Sequence, residues 1–333
     1  MGKLEAEELR KLLSCIKKDP RVIVPPSPGF DSGVHTFGDK CLVVSTDPCI
    51  GVPEKWFGWL LIHYAASDVA LFGAKPEYCT INLLGPPLTK PETFYGIMKQ
   101  ACNAAEELGM AIVTGHTGTY QGLSTLVGVC TAYGVTSKDA LITPGGAKPG
   151  DPILCVKPIG LEVAVNFALT HQTLAERLFG IERASTLANL VAAQSCVKEA
   201  LLLAEVDGVH AMHDVTEGGL TAALNEMAEA SKVGFKVDWE RIPFAKEALI
   251  LKHWFGLSEL QMLSMSSTGT VLAAVSPESR EKVAEVLRQN NVDAYTVGVF
   301  TKDKKRILLK NGMETLFPEK AEDPYERILS GKV

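Results

Sequence analysis

Zinc-type cysteine pairs are missing from this sequence. Its eight cysteines stand at 15, 41, 49, 79, 102, 130, 155 and 196, no two of them as C-x-x-C, and no histidine pair completes a tetrahedral ligand set. Most lie in apolar runs such as Leu126–Cys130, so buried, reduced thiols and a reducing compartment are expected. Excess positive charge is also lacking. With 33 basic against 39 acidic residues the net charge is -6, which argues against a nucleic-acid partner. No apolar run approaches the roughly 20 residues that cross a bilayer. The charged, amphipathic start Leu4–Leu13 lacks the apolar centre of a secretory signal. These absences point to a soluble, cytoplasmic protein without a membrane or nucleic-acid partner.

What is present is ordinary globular composition, 46% hydrophobic and 22% charged, over 333 residues. That length exceeds one ordinary core, so two α/β domains are expected. The clearest punctuation is Gly145-Gly146-Ala147-Lys148-Pro149-Gly150-Asp151, which places a boundary at about 138–150 and domains at 1–140 and 150–333. In the first half, helical spacing is expected over 4–18, 56–72 and 91–108, the last with Pro91 at its start and Gly109 after its end. Strands are expected at 41–46, ending at Asp47-Pro48, then at 77–84, at 110–114 running into a Gly115-His116-Thr117-Gly118 loop, and at 124–135. The second half reads as a strand at 153–156, long helices at 161–178 and 182–206, a strand at 209–212 and a helix at 220–231. Strands near 234–238, 270–275, 293–299 and 305–309 follow, with helices near 244–254 and 277–290.

Three carboxylates draw notice. Asp31 lies in a Gly/Pro loop, Asp47 ends an apolar strand, and Asp68 interrupts the apolar helix Ala65–Leu71. A carboxylate on such a helix is costly to bury unless it is paired or metal-bound. Loop, strand end and helix can converge on Mg²⁺, which takes oxygen ligands and shares them with phosphates. The glycines of Gly115-His116-Thr117-Gly118 would let backbone N–H groups approach an anion. A plain tight turn is the simpler explanation of them, and His116 fits a phosphate contact, a base or a turn cap equally well. In His213-Asp214-Val215-Thr216-Glu217-Gly218-Gly219, Asp214 and Glu217 match a capping box. Gly218 and Gly219 at a helix start mark close approach of a ligand or of another backbone.

Taken in order, Asp31-Ser32-Gly33, Val43–Asp47, Ser67–Pro76, Ile112–Thr117, Lys148–Asp151, His213–Leu220 and Ser266–Thr270 resemble the PurM/HypE superfamily. That superfamily includes aminoimidazole ribonucleotide synthetase, the hydrogenase-maturation carbamoyl dehydratase, thiamine-monophosphate kinase and selenophosphate synthetase. The similarity spans about 30–300 and is strongest to the hydrogenase-maturation branch. It implies a PurM-like N-terminal ATP-binding domain, a C-terminal α/β domain, and a homodimer whose N-terminal sheets join in an intersubunit β-barrel. It also implies ATP and Mg²⁺ as cofactors, with Asp31, Asp47 and Asp68 holding the metal and phosphates. Gly115, His116, Thr117, Gly218 and Gly219 would line the nucleotide, and Asp47, Asp214 and His116 would act in catalysis. The reaction implied is phosphorylation of an oxygen on a small-molecule or protein-borne acceptor. A thiamine-monophosphate-type kinase and a non-catalytic nucleotide-binding scaffold are the alternatives.

The chain departs from the family pattern in places. His116 stands where many relatives are acidic, and Ser67-Asp68 replaces the usual Asn-Asp pair. The tail Leu329–Val333 carries no cysteine, so the tail-borne substrate of the carbamoyl dehydratase is not expected. Cys15, inside a helical pattern, does not match the reactive position of selenophosphate synthetase.

Overall fold

A computed structural model describes Leu4 and residues 6–331. Glu5, within the expected first helix, and Lys332 and Val333 of the tail lie outside the described residues. The chain divides into two compact units, one of Ala6–Leu141 and one from Ile142 onward.

The first unit runs α1 (Ala6–Leu13), β1 (Val22–Val24), β2 (Ser32–Phe37), β3 (Lys40–Ile50), α2 (Glu54–Leu71), β4 (Tyr78–Gly85), α3 (Pro91–Leu108), β5 (Ala111–Thr119) and β6 (Val127–Thr136). Its strands form one sheet in the order β1-β2-β3-β6-β4-β5. Alternate residues of β3 and β6 are buried: Cys41, Val43, Ser45 and Cys49 on one, Gly128, Cys130 and Ala132 on the other. This period of two marks a covered face, and α2 packs on it and on α3. Layers on both sides explain why α2 is buried almost without interruption from Phe57 to Leu71.

Two expectations for this unit are corrected. β3 does not stop at Asp47-Pro48. β2 pairs with β3 only from Lys40 to Ser45, whereas β6 pairs with it through Ile50. Pro48 therefore lies where β3 has one neighbour, and its missing N–H interrupts no ladder on the open side. The expected Gly115–Gly118 loop is strand as well, since β5 continues in parallel register with β4 to Thr119. A Cβ at Gly115 would stand 2.1 Å from the carbonyl oxygen of Ile81, so the glycine serves the approach of two strands.

The second unit runs β7 (Pro152–Val156), α4 (Leu161–Thr170), α5 (Gln172–Phe179), α6 (Ile181–Ala188), α7 (Val197–Ala204), β8 (Val209–Asp214), α8 (Gly219–Ser231) and β9 (Gly234–Asp238). It continues with α9 (Lys246–Phe255), α10 (Glu259–Leu263), β10 (Val271–Val275), α11 (Arg280–Gln289), β11 (Ala294–Thr301), β12 (Arg306–Lys310), β13 (Met313–Leu316) and α12 (Tyr325–Leu329). The seven strands order as β13-β12-β9-β11-β7-β10-β8. β10 is buried at every position, which requires cover on both faces. On one face Leu220, Leu224 and Met227 of α8 meet Ile153, Cys155, Phe235 and Phe300. The two long helices expected at 161–178 and 182–206 are broken into four, at His171, at Gly180 with its φ of 87°, and over residues 189–196.

Candidate functional site

In the N-terminal unit the site is built around the end of β3. Ser45 and Asp47 are two residues apart on one strand and so face the same side of the sheet. That side is covered by α2, and the Ser45 hydroxyl donates to Asp68 Oδ2 at 2.7 Å. Both groups are almost closed to solvent, Ser45 at 2% and Asp68 at 4% exposure. The anomaly in the sequence, a carboxylate on an apolar helix, thus resolves into a strand-to-helix hydrogen bond. Asp31 immediately precedes β2, whose first residue Ser32 pairs with Ser45. Loop, strand and helix therefore bring Asp31, Asp47 and Asp68 to one region of the sheet. As a trio they do not draw ligand atoms within 4.8 Å of one another; among the described residues of this unit no three His, Cys, Asp or Glu side chains do so.

Asp47 is half-buried above a row of thiols. Burial, together with the negative charge of Asp47, pushes the Cys49 thiol up to about 12. Cys130 is raised by its hydrogen bond with the free Cys79 thiol, by burial and by the charge of Asp47. Protonated thiols at this depth are inert filling, which leaves oxygen as the ligand chemistry of the region. That donor set suits a hard divalent cation.

His116 stands apart from these carboxylates. One register line crosses the sheet from Asp47 on β3 through Cys130 on β6 and Ile81 on β4 to Gly115 on β5. Three strand spacings put Asp47 and Gly115 about 14 Å apart along the sheet. His116 and Thr117 are exposed, and His116 Nε2 contacts the Tyr120 hydroxyl. β5 is an outer strand of the sheet, and Val113 on it is 56% exposed.

In the C-terminal unit the strand-to-helix junction differs from the capping box expected there. Asp214 is the last residue of β8, not a cap. The helix begins at Gly219, and Gly218 holds the cap position in left-handed conformation without a side-chain cap. Of the two explanations for the glycine pair, close approach of another backbone accounts for Gly219. A Cβ there would meet the Met265 carbonyl oxygen at 2.6 Å. The Gly218 N–H donates to Asp323 Oδ2 at 3.2 Å. Asp214 is 5% exposed, with His213 Nδ1 at 3.4 Å from its Oδ1, and His213 Nε2 lies 3.0 Å from Glu226.

A second buried carboxylate escaped the reading of motifs. Glu162, on the first turn of α4, accepts from Thr268 N at 2.7 Å and Ser266 Oγ at 2.8 Å. Asp323 accepts from Ser266 N at 3.4 Å and Tyr325 N at 2.9 Å. Two carboxylates thus hold the Ser266–Gly269 loop. Burial raises both from their ordinary values, helped at Glu162 by the charge of Asp323 and at Asp323 by the charge of Glu217. The signal for Glu162 was the one that exposed Asp68, a lone acid within the apolar stretch Leu161–Ala168.

The model of the AIR synthase related protein N-terminal domain matches residues 29–136, and that of the C-terminal domain matches 148–310. A carbamoyl dehydratase HypE of Cupriavidus necator is 31% identical over 247 residues, 72% of this chain and 67% of that one. A putative hydrogenase expression/formation protein of Methanocaldococcus jannaschii is 28% identical over 286 residues, 84% and 82% of the two chains. Among solved structures, the hydrogenase maturation protein HypE in complex with ATP is similar in fold. Its TM-score is 0.68 at 22% identity, covering 85% of this chain and 86% of that one. With both domain models matched in order and this level of identity to a HypE, the chain belongs to the AIR synthase related protein family.

Proposed function

We propose that the chain is an enzyme that binds Mg-ATP through its N-terminal unit and phosphorylates an amide-type oxygen of an acceptor, activating it for loss as phosphate. The observation that carries this reading is Ser45 fixing the buried carboxylate of Asp68 at 2.7 Å, beside the strand that holds Asp47. A buried acid so oriented is what an enzyme needs to present oxygen to a phosphate-bound cation. Asp31, Asp47 and Asp68 would hold Mg²⁺ together with phosphate oxygens and not as a closed trio, and the ion would neutralise phosphate charge. Ser45 fixes the rotamer of Asp68, and half-exposed Asp47 meets the nucleotide side. Gly115, His116 and Thr117 on the outer strand β5 belong to the nucleotide region only if a second copy joins its sheet there. The exposure of that strand supports such a homodimer. In the C-terminal unit Asp214 and the Gly218-Gly219 turn serve the acceptor. The carbamoyl dehydratase relative and the ATP-bound HypE structure support this reading.

The test is an ATP-turnover screen over carboxamide and phosphate acceptors, with ADP and inorganic phosphate measured separately. Equal release of ADP and phosphate is expected. ADP without free phosphate assigns a kinase instead, and nucleotide binding without turnover on any acceptor assigns a scaffold.

A further inference from the structure

A turn near the start of the C-terminal unit brings an amine, an imidazole and a buried carboxylate into line. Lys148-Pro149-Gly150-Asp151 closes with the Asp151 N–H on the Lys148 carbonyl oxygen at 3.1 Å. Pro149 at its second position and Gly150 at its third, with a φ of 99°, suit a type II turn. The turn folds Asp151 back, so that its Oδ2 accepts from the Lys148 backbone N–H at 2.8 Å. Two further contacts seat the segment. A Cβ at Gly146 would stand 1.9 Å from the carbonyl oxygen of His210, so the chain lies directly against β8. The Ala147 N–H donates at 3.0 Å to Oγ of Ser231, the last residue of α8.

His210 sits at a break in the register of β8. Ala274 of β10 pairs with Ala211 and Val275 with Val209, so His210 has no residue opposite it. A bulge of this kind re-aims a side chain. The ring reaches Asp151 Oδ2 through Nδ1 at 2.9 Å and Lys148 Nζ through Nε2 at 3.0 Å. The Asp151 side chain is 3% exposed and that of His210 19%, while Lys148 stands at the surface. The two contacts agree on one tautomer. A carboxylate only accepts and an ammonium only donates, so Nδ1 carries the ring proton and Nε2 offers its lone pair to the lysine. Asp214 ends the same strand four residues on, about 13 Å away, so this cluster is separate from the junction at Gly218-Gly219.

We propose that Lys148 is a nucleophile that accepts an acyl group from an activated donor, a thioester or an acyl phosphate, with His210 as its base and Asp151 as the positioning residue. An ordinary surface lysine is a weak nucleophile because its nitrogen is protonated. Here one proton lies between Nζ and Nε2. Its passage to Nε2 leaves a neutral amine, and the buried Asp151 charge stabilises the imidazolium that forms. The lysine nitrogen then bonds to the acyl carbon. The bond from that carbon to sulfur or to the phosphate oxygen breaks, and its electron pair leaves with the thiolate or the phosphate. His210 hands the first proton to solvent and takes the second, which the nitrogen loses as the amide forms. The product is an acylated Lys148 that keeps one N–H.

The probes are acetyl phosphate and S-acetyl-N-acetylcysteamine, each given separately to the whole chain near neutral pH, with acetylation followed at every lysine by peptide mass spectrometry. Lys148 is expected to react at least about tenfold faster than the other exposed lysines with one donor or both, and the faster donor names the source of the acyl group. His210→Gln is expected to bring Lys148 down to the rate of the others, whose own rates stay unchanged in the same sample. Asp151→Asn keeps an oxygen for both N–H donors but loses the charge. It is expected to slow Lys148 while nitrogen-15 NMR still shows His210 protonated at Nδ1, a split that a purely structural role would not produce. An unchanged Lys148 rate in Asp151→Asn removes the carboxylate from the relay and overturns it. No preference for Lys148 with either donor, or a preference that survives His210→Gln, also overturns the proposal. Should the variants fail to fold, wild type decides alone: the same NMR measurement must show Nε2 of His210 unprotonated, and any other protonation pattern contradicts the relay. Neither donor is a nucleotide, so the outcome is independent of Mg-ATP binding.

Discussion

The hydroxyl of Ser45 donates to Asp68 Oδ2 at 2.7 Å, tying β3 to α2 across 23 residues of sequence. Both residues are buried, so removing the Ser45 hydroxyl takes one hydrogen-bond donor from a carboxylate in a poorly solvated place. Ser45→Ala is expected to cost about 1–3 kcal/mol in urea unfolding. It should also weaken Mg-ATP, because the Asp68 rotamer is no longer fixed. A variant of unchanged stability would show that the bond carries no weight.

Gly115 and Gly118 lie on the same strand and should respond differently to alanine. At Gly115 the new Cβ would stand 2.1 Å from the backbone oxygen of Ile81, which cannot move without β4. At Gly118 the nearest atoms belong to the Tyr120 ring, at 3.3 Å, which can give way. Gly115→Ala is expected to lose about 2 kcal/mol or more, and Gly118→Ala less than about 1 kcal/mol, by chemical denaturation. Equal losses would argue that β5 is a loop after all.

His63 makes the stability of the N-terminal unit depend on acid. Burial lowers its pKa to about 3 from the ordinary value of 6.5, and the ring stacks on Trp59 at 3.7 Å. The folded state therefore binds fewer protons than the unfolded chain between those values. This contribution is intact above pH 6.5 and is lost as pH falls towards 3. Calorimetric melts from pH 7 to pH 4 should show a shallower decline for His63→Phe than for wild type. Parallel declines would remove His63 from the acid response.

Thiol chemistry separates the cysteines by depth. Cys15 and Cys102 are exposed, and the other six are buried. Of these, Cys49 is pushed up to about 12 by burial and the Asp47 charge. A thiol reagent at pH 8 is expected to label two cysteines rapidly in the native protein and all eight in denaturant. Rapid labelling of Cys49 or Cys130 would mean that the sheet face under Asp47 is open.

Much of the fold was legible because burial leaves a period in the sequence. Helix α3 was expected at 91–108 and spans Pro91–Leu108, since Pro91 and Gly109 punctuate its ends. What failed depended on neighbours remote in sequence. Pro48 signalled a strand end, yet it lies on a side of β3 that β2 does not reach. Gly115 looked like a loop glycine because nothing in its own segment shows that Ile81 passes 2.1 Å from its absent side chain. The same holds for the site. Asp68 stood out as an acid in an apolar helix, but its partner Ser45 did not, being one serine among many. Asp323 meets Gly218 from 105 residues away, beyond any motif. Glu162 carried the same signal as Asp68, and an apolar helix of only ten residues made it quieter.

Calorimetric titration of Mg-ATP into wild type, Asp47→Asn and Asp68→Asn tests most directly whether the carboxylates beside β3 hold a nucleotide-bound cation. Asparagine at 68 keeps an oxygen for the Ser45 hydroxyl, so the fold should survive. Wild type is expected to bind, and each variant to bind at least tenfold more weakly, a difference of about 1.4 kcal/mol or more. No heat with wild type, or equal affinity in a folded Asp68→Asn variant, would contradict it.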